Sequence, residues 1–166
     1  MKFITNTKKD IVTLNRNYIN EHVNNVRAFG TWLIKNCPIL FKDVDVDYFL
    51  DLLFLHDRSK FSQEEFMPYA NKWFGDGIKT PEYEEAWRHH WASNPHHPEY
   101  WQGKDIEYIY ILEMICDWGS FGVKSGDNTE IFSFYETKAK NDPEKNLSSA
   151  TKEKIEFILE QIKKVI

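Results

Sequence analysis

A chain of 166 residues, 42% hydrophobic and 16% aromatic, has the material for one well-filled core and hardly for two, since domains most often run to about 100–150 residues; residues 1–166 read as a single domain. A formal net charge of −5 with no basic run excludes the electrostatic footprint of a duplex nucleic-acid binder, and no stretch approaches the roughly 18 apolar residues of a membrane span. The opening MKFITNTKKD has no apolar leader segment, and Cys37 and Cys116, far apart in apolar surroundings, suit buried free thiols of a cytoplasmic protein better than a disulfide framework.

Leu14, Tyr18, His22, Val26, Phe29 and Leu33 recur at intervals of three and four, so residues from about 9 to 35 read as a long amphipathic helix with His22 midway along its apolar stripe. The pattern breaks at Cys37-Pro38, and a second helix starts near Asp45 or Asp47, either of which can cap it. Phe49, Leu52, Leu53 and His56 form its inward face, which puts His56-Asp57 at its C-terminal end. Ser62 followed by Glu65 is a capping-box pattern, opening a short helix through Phe66, Tyr69, Ala70 and Trp73 that Gly75-Asp76-Gly77 ends. Thr80-Pro81 opens the next helix with proline at the favoured first position, and Tyr83, Trp87, His90 and Trp91 follow at helical spacing. Asn94-Pro95 stops it, leaving His96-His97-Pro98 in a turn.

Over residues 104 to 123, Ile106, Tyr110, Glu113, Asp117 and Phe121 share one face, which sets two carboxylates one turn apart on a mostly apolar helix. A polar loop, a helix over about 131 to 140 and a break at Asn141-Asp142-Pro143 follow. The last helix covers about 149 to 166, with Ile155, Ile158, Leu159, Ile162 and Val165 along one side. No strand-like alternation of useful length occurs. The class is therefore all-α, one helical bundle with a core over about 9 to 125 and C-terminal helices over about 129 to 166.

All six histidines, with Asp57, Glu113 and Asp117, fall on or beside inward positions of four separate segments. Such groups are costly to bury unless paired, hydrogen-bonded or bound to metal, and a central metal accounts for all of them together. Imidazole and carboxylate suit one or two divalent transition ions among Mn, Fe, Co, Ni and Zn, while the lack of a CxxC pair argues against a structural zinc finger.

A lone His on one helix (His22), an adjacent His-Asp pair on the next (His56-Asp57) and a later Asp (Asp117) together resemble the HD-domain superfamily of metal-dependent phosphohydrolases. The resemblance implies a bundle of five or more helices with the metal at its centre. His22, His56, Asp57 and Asp117 would be its ligands, with Asp57 able to bridge to a second ion. The histidines between are similar to those completing a second site in two-metal members, which implies His90 and His97, with His89 and His96 as competitors that otherwise face solvent, pair with carboxylates or touch substrate. The stretches HDRSKFSQEEF, EEAWRHHWASNPHHPEYW and EMICDW resemble, at a finer level, a family of phage and bacterial proteins with an HD-like core. The gap from His90 to His97 is shorter than in many two-metal members.

Around these ligands, Glu113 reads either as a carboxylate orienting a ligand imidazole or as a salt-bridge partner of Arg88 or Arg58. Arg58 and Lys60, directly after the HD pair, read as phosphate-binding groups or as ordinary charges at a helix end. Of Trp87, Trp91, Trp101 and Trp118, most read as core, with one at a pocket rim suited to stacking on a nucleobase. In the metal-free protein, repulsion between Asp57 and Asp117 is the expected electrostatic feature.

The leading functional expectation is hydrolysis of a nucleotide or other small phosphate ester by metal-activated water, with Asp57, Arg58, Lys60 and Glu113 as catalytic groups. No nucleophile elbow and no phosphate-binding glycine loop is present. A diiron oxygenase, like the HD-fold members similar to myo-inositol oxygenase, would use the same His22, His56, Asp57, His90, His97 and Asp117. The third expectation is a metal-containing module that holds a nucleotide with little turnover. The partner is a small phosphorylated molecule, with a second copy of the chain left open.

Overall fold

A computed structural model describes residues 7–166, and among them every regular element is a helix. The longest, α1 (Lys8–Asn36), is opened by a capping box in which the Thr7 side chain and Asp10 satisfy each other's backbone amides. α2 (Val46–Leu55) starts on Asp45, whose carboxylate accepts from the Tyr48 amide at 3.1 Å. α3 (Phe66–Phe74), α4 (Pro81–Ser93), α5 (Pro98–Trp101) and α6 (Tyr108–Val123) follow, then α7 (Glu130–Phe134) and α8 (Ser149–Lys163). Thr80 caps α4 and Ser148 caps α8, each through its side-chain oxygen.

α1 packs along α6, α3 and α2, while α6 also meets α2, α7 and α8. The core is the seam between these two long helices, where Val26, Phe29 and Leu33 meet Ile111, Leu112, Ile115 and Cys116. Gly119 permits the closest approach: a Cβ there would lie 2.4 Å from the Phe29 ring. Cys37 and Cys116 are both buried free thiols. Among the described residues no helix is long and apolar enough to cross a membrane.

Several expectations are corrected at this level. Leu14 and Tyr18 are 39% and 45% exposed; the inward positions of that part of α1 are Asn15, which donates to the Phe66 carbonyl at 3.0 Å, and Ile19. The Ser62–Glu65 capping box does not form, because the Glu65 side chain is fully buried and turned to histidines. α6 begins at Tyr108 rather than near 104. The helix expected over 131 to 140 is α7 running into a π-turn at Tyr135–Ala139, and Val165 lies past the end of α8, 44% exposed.

Candidate metal centre

The site is built where α2 stops. His56 leaves the helix in an extended conformation (φ −49°, ψ 133°) and Asp57 turns left-handed (φ 57°, ψ 18°) before a single 3-10 turn at Arg58–Phe61. Asp is among the few residues that visit this region, and the sharp reversal buries both side chains at the middle of α1 and α6. There they meet His22 from α1 and Asp117 from α6. His22 Nε2 lies 3.3 Å from Asp57 Oδ2 and 3.1 Å from Asp117 Oδ1. His56 Nε2 lies 3.7 Å from each of the same two oxygens. These four residues, expected from sequence, are brought together.

A second cluster faces the other oxygen of Asp57. His90 Nε2 is 3.2 Å and His96 Nε2 3.6 Å from Asp57 Oδ1, and His97 Nε2 is 3.0 Å from His90 Nε2. The Asn94–His97 turn that supplies them is tied down by Asn94, which donates to Ser59 Oγ at 2.7 Å, and by Trp101, whose indole donates to the Pro95 carbonyl at 2.7 Å. Both expected histidines, His90 and His97, are here. Of the alternatives for His96, solvent exposure is corrected and carboxylate pairing holds: it is buried, lies against Glu113 and belongs to the cluster, so both members of the 96–97 pair face in. His89 does sit outside, pairing with a carboxylate through Nδ1 at 2.7 Å from Glu65.

Behind the imidazoles stand two buried glutamates. Glu113 Oε1 accepts from His56 Nδ1 at 2.9 Å and lies 3.2 Å from His96 Nδ1, so one carboxylate orients a ring in each cluster. Glu65 Oε2 lies 2.8 Å from His90 Nδ1. Such partners hold the Nδ1 proton and aim each Nε2 inward, where a cation can displace its proton. Glu113 therefore takes the orienting role rather than pairing with an arginine; Arg88 pairs with Glu85 instead. Sequence reading missed Glu65, whose position three residues after Ser62 has a competing local explanation.

The electrostatics are those of a cation site. Glu65, Glu113, Asp57 and Asp117 bring four carboxylates against one ammonium, Lys60, whose Nζ is 2.5 Å from Asp57 Oδ2. Burial disfavours charge on every one of these groups, yet the opposite charges outweigh it. His56 is pushed up to about 10 by Asp57, Asp117 and Glu113. His22 is raised by Asp117 and Asp57, and His90 by Asp57 and Glu65. Asp57 is held well below the usual carboxylate range by Lys60, His56, His90 and His22, and Asp117 likewise by His22 and His56. His97 differs: burial and the neighbouring His96 and His90 push it well down, which keeps it neutral with a lone pair to offer.

The donor set fits a metal. His56 Nε2, Asp57 Oδ1 and His96 Nε2 are buried without a hydrogen-bond partner, and buried polar atoms are rarely left so. Each faces one of the clusters. Asp57, His90, His96 and His97 have ligand atoms within 4.8 Å of one another, as do His22, His56 and Asp117. The 3.0 Å between two imidazole nitrogens is about the separation of adjacent ligands that lie roughly 2.1 Å from one ion at right angles to each other. These groups can hold a metal ion, and the donors are imidazole and carboxylate only.

The clusters open onto a cavity of about 180 Å³ whose lining includes Tyr18, Lys60, Trp73, Trp87 and Phe121. Tyr18, Trp73 and Phe121 are 45–57% exposed at its rim, and Trp87 packs edge-on against His97 at 5.4 Å, while Trp118 is core. A larger cavity of about 600 Å³, lined by Ile11, Met67, Asn71 and Asp76 among others, contains none of the clustered groups; chemistry, not size, identifies the site. Arg58 does not reach it. It is exposed and lines a second groove with Arg27 and Phe54, which His56 also borders, because the 3-10 turn that points Lys60 inward points Arg58 out.

No curated protein and no solved structure shows significant similarity to the chain. One family model, described as a family of unknown function (DUF5662), matches residues 12–161, a span that contains all of His22, His56, Asp57, Glu65, His90, His96, His97, Glu113 and Asp117. Over nearly its whole length, and with the entire centre inside the match, the chain belongs to the DUF5662 family.

Proposed function

We propose that the chain is a metal-dependent phosphohydrolase of the HD type, acting on a nucleotide or another small phosphate ester. One observation carries this reading: Asp57 turns Oδ2 toward His22 and His56, which group with Asp117, and Oδ1 toward His90 and His96, which group with His97, so that its carboxylate would serve both donor sets. Bound divalent ions from the Mn, Fe, Co, Ni and Zn group would activate water and offset charge on phosphoryl oxygens.

The protein's own groups do the rest. Glu113 and Glu65 hold three imidazoles in place. Lys60, on Asp57 and lining the cavity, supplies positive charge to an entering phosphoryl group. A cavity of about 180 Å³ is smaller than the roughly 300 Å³ lower bound of sites that enclose a whole ligand. It admits the reacting group and leaves the remainder on the rim, where Tyr18, Trp73 and Phe121 offer aromatic faces to a planar base.

The test is to load the protein with manganese, iron or zinc in turn and incubate it with a panel of nucleotides and phosphate esters. Released phosphate or phosphomonoester is the expected result. Ligand retained intact would instead make the chain a nucleotide-holding module. The nitrogen-rich donor set, five imidazoles to two carboxylates, also suits iron, and substrate-dependent oxygen uptake by the iron-loaded protein would favour an oxygenase.

A further inference from the structure

α2, with the sequence VDYFLDLLFL, is apolar around most of its circumference, yet packs on α1 and α6 through one side only. Phe49 and Leu53 are buried there, whereas Tyr48, Leu50, Phe54 and Leu55 are 40–63% exposed. An apolar helix of this kind belongs in an interior, and four large apolar side chains on one short face exceed the scattered single residues of a monomer surface. Asp47 and Asp51 lie on the same outer face and Arg58 follows its end, all three exposed. Arg27 of α1 lies over the Phe54 ring at 5.3 Å. Among the described residues none of these four charges has an ion-pair partner. Phe54 forms one wall of a groove of about 450 Å³ that Asn20, Val23, Arg27, His56, Arg58 and Phe61 also line.

We propose that this face is the interface of a two-fold dimer, occupied by a second copy of the chain. A two-fold interface brings the same patch of both subunits together, so the patch must complement itself. This one does so twice. In shape, the exposed edge of Phe54 forms the rim of an open groove. In charge, carboxylates lie along the helix and arginines at its C-terminal end. Antiparallel packing of α2 on its symmetry mate about an axis near Phe54 and Leu55 seats each Phe54 in the other copy's groove and carries Asp51 to the opposite Arg58. The arginine that points away from the metal centre thereby acquires a role.

Sedimentation velocity of the full chain over about 1–200 μM tests this, with far-UV circular dichroism to confirm folding of each variant; all substituted side chains are exposed. The wild type is expected to dimerise. Phe54→Glu should weaken the dimer by about 100-fold or more, as loss of a central aromatic anchor in both copies does. Asp51→Arg and Arg58→Glu should each weaken it by about tenfold, and the two together should restore it to within about threefold, because the swap re-forms both cross-subunit pairs. A wild type monomeric throughout would overturn the proposal and leave the face to a different protein. So would a dimer indifferent to Phe54→Glu, or a double variant no better than either single one.

Discussion

Asp57 stands in the left-handed region at a cost of roughly 1–2 kcal/mol, and the return is that its two oxygens face two sets of donors. From sequence, repulsion by Asp117 was the expected feature of the metal-free protein. The structure reverses this, since Lys60, His56, His90 and His22 together hold the Asp57 carboxyl well below its ordinary range. Asp57→Ala should therefore destabilise the chelated protein, by about 2 kcal/mol, less than the ~3–5 of a fully buried pair because the Lys60 side chain is 16% exposed. It should also abolish the metal-dependent rise in melting temperature. A variant as stable as wild type in chelator would show that the pairing contributes nothing. Among the histidines, His96→Ala should lower metal stoichiometry while His89→Ala leaves it unchanged, as measured by elemental analysis after gel filtration; the opposite pattern would return His96 to the surface. Glu65→Gln should weaken metal binding by roughly 10–100-fold, the usual effect of losing a carboxylate behind a ligand imidazole, with the fold retained.

At the scale of elements, the contact of α1 with α6 sets His22 opposite Asp117. Gly119→Ala would press a methyl group into the Phe29 ring, and overpacking of this kind costs about 1–3 kcal/mol, or a fall of several degrees in melting temperature for a chain of this size. Weaker metal binding should accompany it, measured by titration against a competing chelator. Helical periodicity made the order of the main helices legible, along with the start of α2 at Asp45 or Asp47, the start of α4 at Thr80-Pro81 and the inward positions of His22, His56, Glu113 and Asp117. It failed where a local pattern had a tertiary competitor. Glu65 fits a capping box by spacing, but two histidines draw its side chain inward. Leu14 and Tyr18 continue the apolar stripe on paper, yet the buried positions of that part of α1 are Asn15 and Ile19. His96 lies in a turn whose direction is set by Asn94 and Trp101, contacts without periodic signature. Of the two readings of Arg58 the phosphate-binding one fails, because nearness to the HD pair in sequence does not survive a 3-10 turn.

For the whole molecule, protons and metal compete for one excess of negative charge. In chelator, His56, with its pKa raised to about 10, contributes stability that is complete below about pH 6.5 and lost as pH rises through 10. His97, depressed, acts in the other direction, withdrawing stability as pH falls below about 6.5, and the depressed Asp57 and Asp117 do so below about 3.9. The melting temperature of the chelated protein should therefore fall between pH 7 and 10. Bound metal displaces the histidine protons, so the metal-induced rise should be larger at pH 8 than at pH 6; thermal melts at the two values with and without manganese read this directly, and an equal rise at both would contradict it. The most direct measurement is the metal content of protein purified without chelator and dialysed against trace divalent metal. Two equivalents per chain are expected, falling to about one when His90 and His97 are both replaced by alanine and to none when His22 and Asp57 are. Wild-type protein that retains no metal, with the fold intact, would contradict it.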